Sequence, residues 1–114
     1  METGVTYEYN AKVVRWIDGD TVELEVDLGF RLKFQDHFRL DGIDTPERGK
    51  AGALSATVRA SQLAPVGSAI MIQTTKGDKY GRYLAALWPD VGPTVNNTLI
   101  EEGFAKPYYG GKKS

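Results

Sequence analysis

From Val22 to Leu28 the chain alternates strictly, with Val22, Leu24, Val26 and Leu28 on one side and Glu23, Glu25 and Asp27 on the other. A period of two is the mark of a half-buried β-strand. Tyr7 to Trp16 alternates more loosely, with Tyr7, Tyr9, Ala11 and Val13 on one face, and predicts a strand before it. Asp18-Gly19-Asp20 is the turn between the two. Gly29 ends the second run. Phe30, Leu32 and Phe34, alternating with Arg31 and Lys33, predict a third strand, and Gln35-Asp36-His37 a turn or bulge after it. Phe38-Arg39-Leu40 resumes an extended path that leads into a corner at Asp44-Thr45-Pro46-Glu47.

Helical spacing then takes over. Over Ala51 to Ala64, residues Ala53, Leu54, Thr57, Val58 and Ser61 predict a helix, ended by Pro65 and Gly67. Ala69 to Thr75 reads as a strand, Lys76 to Arg82 as a glycine-bracketed hairpin loop, and Tyr83 to Trp88 as the returning strand. A second helix is predicted from Thr94, its N-cap, to Glu102, with Gly103 as the stop and a short extended segment at Phe104 to Tyr109. About five strands and two helices predict an α+β, mainly β chain: a five-stranded OB-type barrel with two packed helices. The 114 residues fit one domain spanning 1–114, with flexible ends at 1–6 and 110–114. Trp16, Trp88 and Phe104 are assigned to its core, and His37 to a turn.

Composition narrows the chemistry. There is no cysteine and one histidine, which excludes thiolate and histidine-rich zinc sites, so any metal must be held mainly by oxygen. The net charge of −1 does not advertise a nucleic-acid binder. Its distribution says more: residues 1–60 carry eight Lys/Arg and eleven Asp/Glu, whereas residues 61–114 carry six and four. A bound divalent cation would offset part of the acidic excess in the first half. No signal peptide and no membrane-length apolar run are visible, so the expectation is a cytoplasmic protein without membrane contact; a secreted mature form is the alternative.

The acidic excess includes FRLDGIDTPE, residues 38–47, where Asp41, Asp44 and Glu47 crowd around a Thr-Pro turn with Arg39 just upstream. Like charges repel, so a fold gains little from this arrangement, whereas a hard cation needs several oxygens close together. Arg39 adds a planar, permanently charged fork suited to phosphate. The stretch therefore reads as part of a metal and phosphate site. Asp18 and Asp20 by themselves form a turn, and Asp41 reads as a solvated loop residue.

Four segments in order, IDGDTVEL (17–24), FRLDGIDTPE (38–47), DKYGR (78–82) and EEGFAKPYY (101–109), resemble the staphylococcal-nuclease-like (thermonuclease) family, over most of the chain from Val13 to Tyr109. The resemblance implies an OB-type barrel and a calcium-dependent phosphodiesterase acting on DNA and RNA and leaving 3′-phosphates. It implies Asp20, Asp44 and the carbonyl of Thr45 as ligands of Ca²⁺, with Asp18 at most supporting them. Arg39 and Arg82 then grip the scissile phosphate, and Glu47 either acts as general base or orients the attacking water. Lys79 and Tyr80 match residues that touch nucleotide phosphate, and Tyr108 or Tyr109 matches a tyrosine that packs on a base. Such stacking tolerates any base and suits a preference for single strands with little sequence specificity.

Two departures accompany the likeness. The loop after Glu47, ERGKAG, is shorter than in the best-known members, and with the sequence ending soon after Tyr109 the expectation is a barrel with two helices and the family C-terminal helix absent. The small size leaves both a monomer and a weak homodimer open. The rival readings are a catalytically inactive OB-fold module that binds nucleic acid and a protein-interaction module. Neither accounts for Asp20, Arg39, Asp44, Glu47 and Arg82 occurring together.

Overall fold

The computed structural model describes residues 7–75 and 81–108. Along the chain the elements are β1 (Tyr7–Asp18), β2 (Thr21–Gly29), β3 (Leu32–Leu40), β4 (Ile43–Asp44), α1 (Ala53–Leu63), β5 (Ala69–Thr75), β6 (Tyr83–Trp88), α2 (Val95–Glu101) and β7 (Lys106–Pro107). Five of them close a barrel in the order β1-β2-β3-β6-β5, and β4 and β7 form a separate two-stranded ribbon. This is the expected OB-type barrel with two helices. Neighbouring barrel strands run antiparallel except at the β3–β6 seam, where Phe38, Arg39 and Leu40 pair in parallel with Tyr83, Leu84 and Ala85.

Alternation fills the barrel. Val13, Val22, Leu24, Leu40, Ile72, Ala85 and Leu87 are fully inaccessible, and Val26 and Phe38 nearly so. Each large aliphatic side chain so placed contributes about 1.5–3 kcal/mol of transfer free energy. Val95 and Leu99 of α2 and Ile43 of β4 extend the same cluster outside the barrel wall. Trp16 and Phe104 pack against it, and the Trp16 indole donates to the Ala64 carbonyl at 2.8 Å, fixing the end of α1. Trp88 departs from the expectation: it is half-buried and lines a surface groove with Met71 and Val91 instead of joining the core.

Two parts of the β2–β3 hairpin also differ from the sequence reading. Gln35, Asp36 and His37 are not a turn; they continue β3 in unbroken register with Glu25, Leu24 and Glu23 of β2. Their polarity misleads because this half of β3 is largely exposed. Glu23 instead gathers polar side chains of both neighbouring strands: it accepts from Arg15 at 2.7 Å and Gln35 at 2.6 Å and lies 3.7 Å from the His37 ring. The turn falls earlier, at Phe30 and Arg31, which both take left-handed conformations (φ 55° and 66°), and Phe30 is 95% exposed.

The helices are where the site gains its backing. The buried face of α1 consists of Ala53, Ala56 and Ala60, while Leu54 and Val58, expected on the apolar face, point to solvent. Small residues allow the helix to approach the β1–β2 turn closely. A Cβ on Gly19 would stand 2.8 Å from the Ala56 Cβ and 3.0 Å from the Thr45 Cγ2. On the other side, Thr94 caps α2 by accepting from the Asn97 amide at 3.0 Å. The buried Asn96 then donates to the Asp41 carbonyl at 2.8 Å and to the Ala85 carbonyl at 3.1 Å, and accepts from the Leu87 amide at 3.2 Å. Its side chain ties the β3–β4 turn to β6. Among the described residues no helix is long and apolar enough to cross a membrane.

Candidate active site

The β1–β2 turn, the C-terminal end of β3 and β4 meet at one side of the barrel. Asp20 comes from the turn and is buried. One of its carboxylate oxygens, Oδ2, accepts from the Thr45 amide at 3.0 Å and from Arg39 Nη1 at 3.0 Å; the other accepts from the Thr21 hydroxyl at 3.2 Å. Arg39, on β3, reaches onward through Nη2 to the Ile43 carbonyl at 2.9 Å and to Asp44 Oδ1 at 3.4 Å. The guanidinium therefore bridges two carboxylates that lie twenty-four positions apart in sequence. Its side chain is only 11% exposed, and the Tyr108 ring lies 5.2 Å from its Cζ in a cation–π contact.

Asp18 sits beside this cluster, and the Asp20 amide lies 3.4 Å from its Oδ1. Burial, reinforced by the hydrogen bond to Asp20 and by that residue's charge, pushes the Asp18 carboxyl up to about 6. Burial opposes ionisation of Asp20 as well. The hydrogen bonds from Asp18, the Thr45 amide and Arg39 outweigh it and hold the Asp20 carboxyl below the usual carboxylate range. Below about pH 6 the proton of the pair therefore resides on Asp18, while Asp20 is the anion.

Of the other expected residues, Glu47 stands on a cavity beside this cluster. The cavity, of about 470 Å³, opens beside Asp44 and Thr45, and its Glu47 side is exposed to solvent. Arg82 precedes β6 by one residue, two positions before Leu84, the rung partner of Arg39. Lys79, Tyr80 and Tyr109 lie outside the described residues, as do Lys76, Lys112 and Lys113. Sequence reasoning assigned no role to Asn96, to Lys50 and Lys106 on the cavity wall, or to Tyr108 as a platform for Arg39. The pairing of Asp44 with Lys106 in the β4–β7 ribbon is a tertiary contact with no local sequence signal.

The donors suit a hard cation better than a soft one. Only oxygen is offered: the carboxylates of Asp20 and Asp44 and the main chain and hydroxyl of Thr45. That hydroxyl is buried without a hydrogen-bond partner, a polar atom whose position asks for a cation or a water. Among the described residues no three acidic, histidine or cysteine side chains converge on one point, so carbonyl and water oxygens must complete any shell.

Comparison with known proteins agrees with this arrangement. Residues 37–114 match the model of the family described as staphylococcal nuclease homologue. A protein of Escherichia coli O157:H7 called an uncharacterized endonuclease is 30% identical over 102 residues, covering 89% of this chain and 62% of its own. A micrococcal nuclease of Shigella flexneri is 30% identical over 114 residues (92% and 62%), and a thermonuclease of Staphylococcus hyicus 31% identical over 107 residues (87% and 59%). The chain thus spans about three fifths of the length of these relatives. With the barrel, the order of the motifs and the family match in agreement, the chain belongs to the staphylococcal nuclease homologue family.

Proposed function

We propose that this protein is a nuclease: a calcium-dependent phosphodiesterase that hydrolyses DNA, and RNA as well, with little sequence specificity, leaves 3′-phosphates and prefers single strands. The observation that carries the reading is the buried Asp20–Arg39–Asp44 chain of contacts at the rim of a cavity that Glu47 also lines. A structural ion pair gains nothing from an open cavity at its edge, whereas a reaction centre requires one.

Asp20, Asp44 and the Thr45 carbonyl would hold Ca²⁺, which when bound supplies positive charge against the phosphate oxygens. The remaining work falls to the chain itself. Arg39 and Arg82 present guanidinium groups that strengthen their hold as charge builds on the pentacoordinate phosphorus. Glu47 accepts a proton from water, or fixes that water in line, as the new P–O bond forms. The P–O5′ bond then breaks, and the departing O5′ takes a proton from solvent water admitted by the open cavity. Hydrogen bonds from the Thr45 amide and Thr21 keep Asp20 oriented throughout, and Tyr108 restricts the Arg39 side chain.

The test is cleavage of single-stranded DNA with Ca²⁺, with and without chelator, by the wild type, Arg82→Ala and Glu47→Gln. Chelator-sensitive cleavage by the wild type with loss of about 10²-fold or more in each variant is expected. If the wild type binds DNA without chelator-sensitive cleavage, the chain is a binding module and the catalytic reading is wrong.

A further inference from the structure

The β2–β3 hairpin outruns the barrel. Among the described residues β3 meets β6 only at Phe38, Arg39 and Leu40, so its first half and the turn before it pair with β2 alone. The two faces of this overhang differ. On the polar face the charges are answered close by: Glu25 lies 4.0 Å from Lys12, and Asp27 lies 3.7 Å from Lys33. On the other face Leu28, Leu32 and Phe34 continue the inward alternation of the strands past the point where the barrel closes, with Phe30 at the tip. Leu28 is 43% exposed, Phe30 95%, Leu32 58% and Phe34 37%; Tyr83, whose ring centroid is 5.6 Å from that of Phe34, is 42% exposed. A fully open aromatic residue presents about 200 Å², so these fractions amount to about 500 Å² of apolar surface. A patch of that size marks an interaction site.

The turn holds this surface out against local strain. Phe30 and Arg31 both take left-handed backbones, at φ 55° and 66°, a pairing that Asn and Gly adopt freely and a bulky side chain does not. The turn itself gains nothing from phenylalanine, so the gain lies in what the exposed ring meets. Two charges frame the patch. Arg31 stands at its tip, and Asp36, on the face of Leu32 and Phe34 by the two-residue period, stands at its base. Both are exposed, and among the described residues neither forms an ion pair. One cation and one anion do not suit a polyanion or an anionic bilayer, which would meet as much repulsion as attraction. They suit a copy of the same patch turned end for end. In a twofold contact residue i meets j and j meets i, so each Arg31 is brought to Asp36 of the partner subunit.

We infer that the overhanging β2–β3 hairpin is a homodimer interface, in which two copies cover each other's Leu28, Phe30, Leu32 and Phe34 and exchange Arg31–Asp36 ion pairs. Two patches bury about 1,000 Å² of apolar surface, the size at which a specific interface begins. The dimer is therefore a weak one, with a dissociation constant on the order of 10 μM. Seven residues of extended strand, roughly 23 Å, separate Leu32 from Arg39, so the candidate active sites lie away from the contact and stay open. The inference uses none of the site residues and stands apart from the nuclease reading.

Sedimentation velocity on the full chain, from about 1 to about 500 μM so as to bracket that constant, compares the wild type, Phe30→Asn, Arg31→Glu, Asp36→Arg and the exchange Arg31→Glu/Asp36→Arg. The wild type is expected to pass from monomer to dimer across this range. Phe30→Asn should stay monomeric with an unchanged or higher melting temperature, since Asn suits the left-handed turn. Each single reversal sets like charges together and should weaken the dimer about tenfold or more, and the exchange should restore it to within about threefold of wild type. A wild type that stays monomeric overturns the inference. So does a dimer indifferent to Phe30→Asn, or an exchange variant no tighter than the single reversals. Flotation with phosphatidylserine vesicles and titration with single-stranded DNA complete the comparison. A monomeric wild type that binds vesicles, with the binding lost in Phe30→Asn, makes the hairpin a membrane contact; the same pattern with DNA makes it a strand contact. Either result overturns the dimer.

Discussion

Arg39→Met in metal-free protein tests the central contact. Arg39 and Asp20 have side chains 11% and 9% exposed, and the guanidinium donates to Asp20 at 3.0 Å. Removing the cation while leaving the carboxylate strands a buried charge, which costs about 3–5 kcal/mol. Asp20 would keep its bonds from the Thr45 amide and the Thr21 hydroxyl, and the exposed edge at Asp44 admits water, so the lower end, about 3 kcal/mol, applies. For 114 residues the unfolding entropy is about 0.24 kcal/mol per kelvin near 60 °C, so the melting temperature should fall by about 12 °C. Asp20→Asn in the same background should recover part of the loss, because the stranded charge is then gone. Calorimetry or urea unfolding of the two single variants and the double variant in chelator gives the coupling directly. An Arg39→Met loss under about 1 kcal/mol, or single effects that add to within about 0.5 kcal/mol, would refute the contact as the organising feature of the site.

Two further outcomes follow from the geometry. Gly19→Ala should cost about 1–3 kcal/mol, because its Cβ would meet the Ala56 Cβ at 2.8 Å and the Thr45 Cγ2 at 3.0 Å; Ala56→Gly in the same chain should return part of it, as read by urea midpoints. Asp18 sets a pH dependence. Its folded value of about 6 lies above the ordinary 3.8, so the folded state keeps a proton that the unfolded chain has released, and stability from this group declines as pH rises through that window. Asp18→Asn should therefore become more favourable relative to wild type between pH 4 and pH 7 in chelator, and a difference flat with pH would contradict the assignment. Asp20 acts with the opposite sign, since its lowered value gives stability that is present above the ordinary carboxylate range and lost as pH falls.

Much of the barrel was legible because its strands alternate cleanly. β2 and β5 carry inward Val, Leu and Ile at every second position, and the turn at Asp18-Gly19-Asp20 and the cap at Thr94 use residues whose local chemistry announces them. What escaped depends on surroundings. Gln35 to His37 looked like a break because strand polarity reports burial, and β3 there is exposed. The Phe30-Arg31 turn lacks the Asn-Gly signature that a left-handed pair usually shows. Leu54 and Val58 suggested the wrong face of α1, because close approach of the helix to Gly19 requires alanine. At the site, the motifs marked Asp20, Asp44 and Thr45, but only tertiary structure makes Arg39 the link between the two carboxylates and sets two lysines on the wall of one cavity.

The β3–β6 seam bears on how the molecule comes into being. Every other closure of the barrel is an antiparallel hairpin or a longer antiparallel ladder, whereas this one rests on a short parallel stretch joining residues about forty-five positions apart. Three parallel rungs reward that closure less than the six antiparallel rungs that join β1 to β5 across a still longer separation, so the seam is expected to zip late and open early. Arg39 lies on one lip, and Arg82 leads into the other. On the proposed function, a nascent chain with only β1, β2 and β3 paired would hold Arg39 without Arg82, and closing the seam would complete the pair. Amide exchange at Arg39 and Leu84, followed alongside recovery during refolding, should rise and fall together.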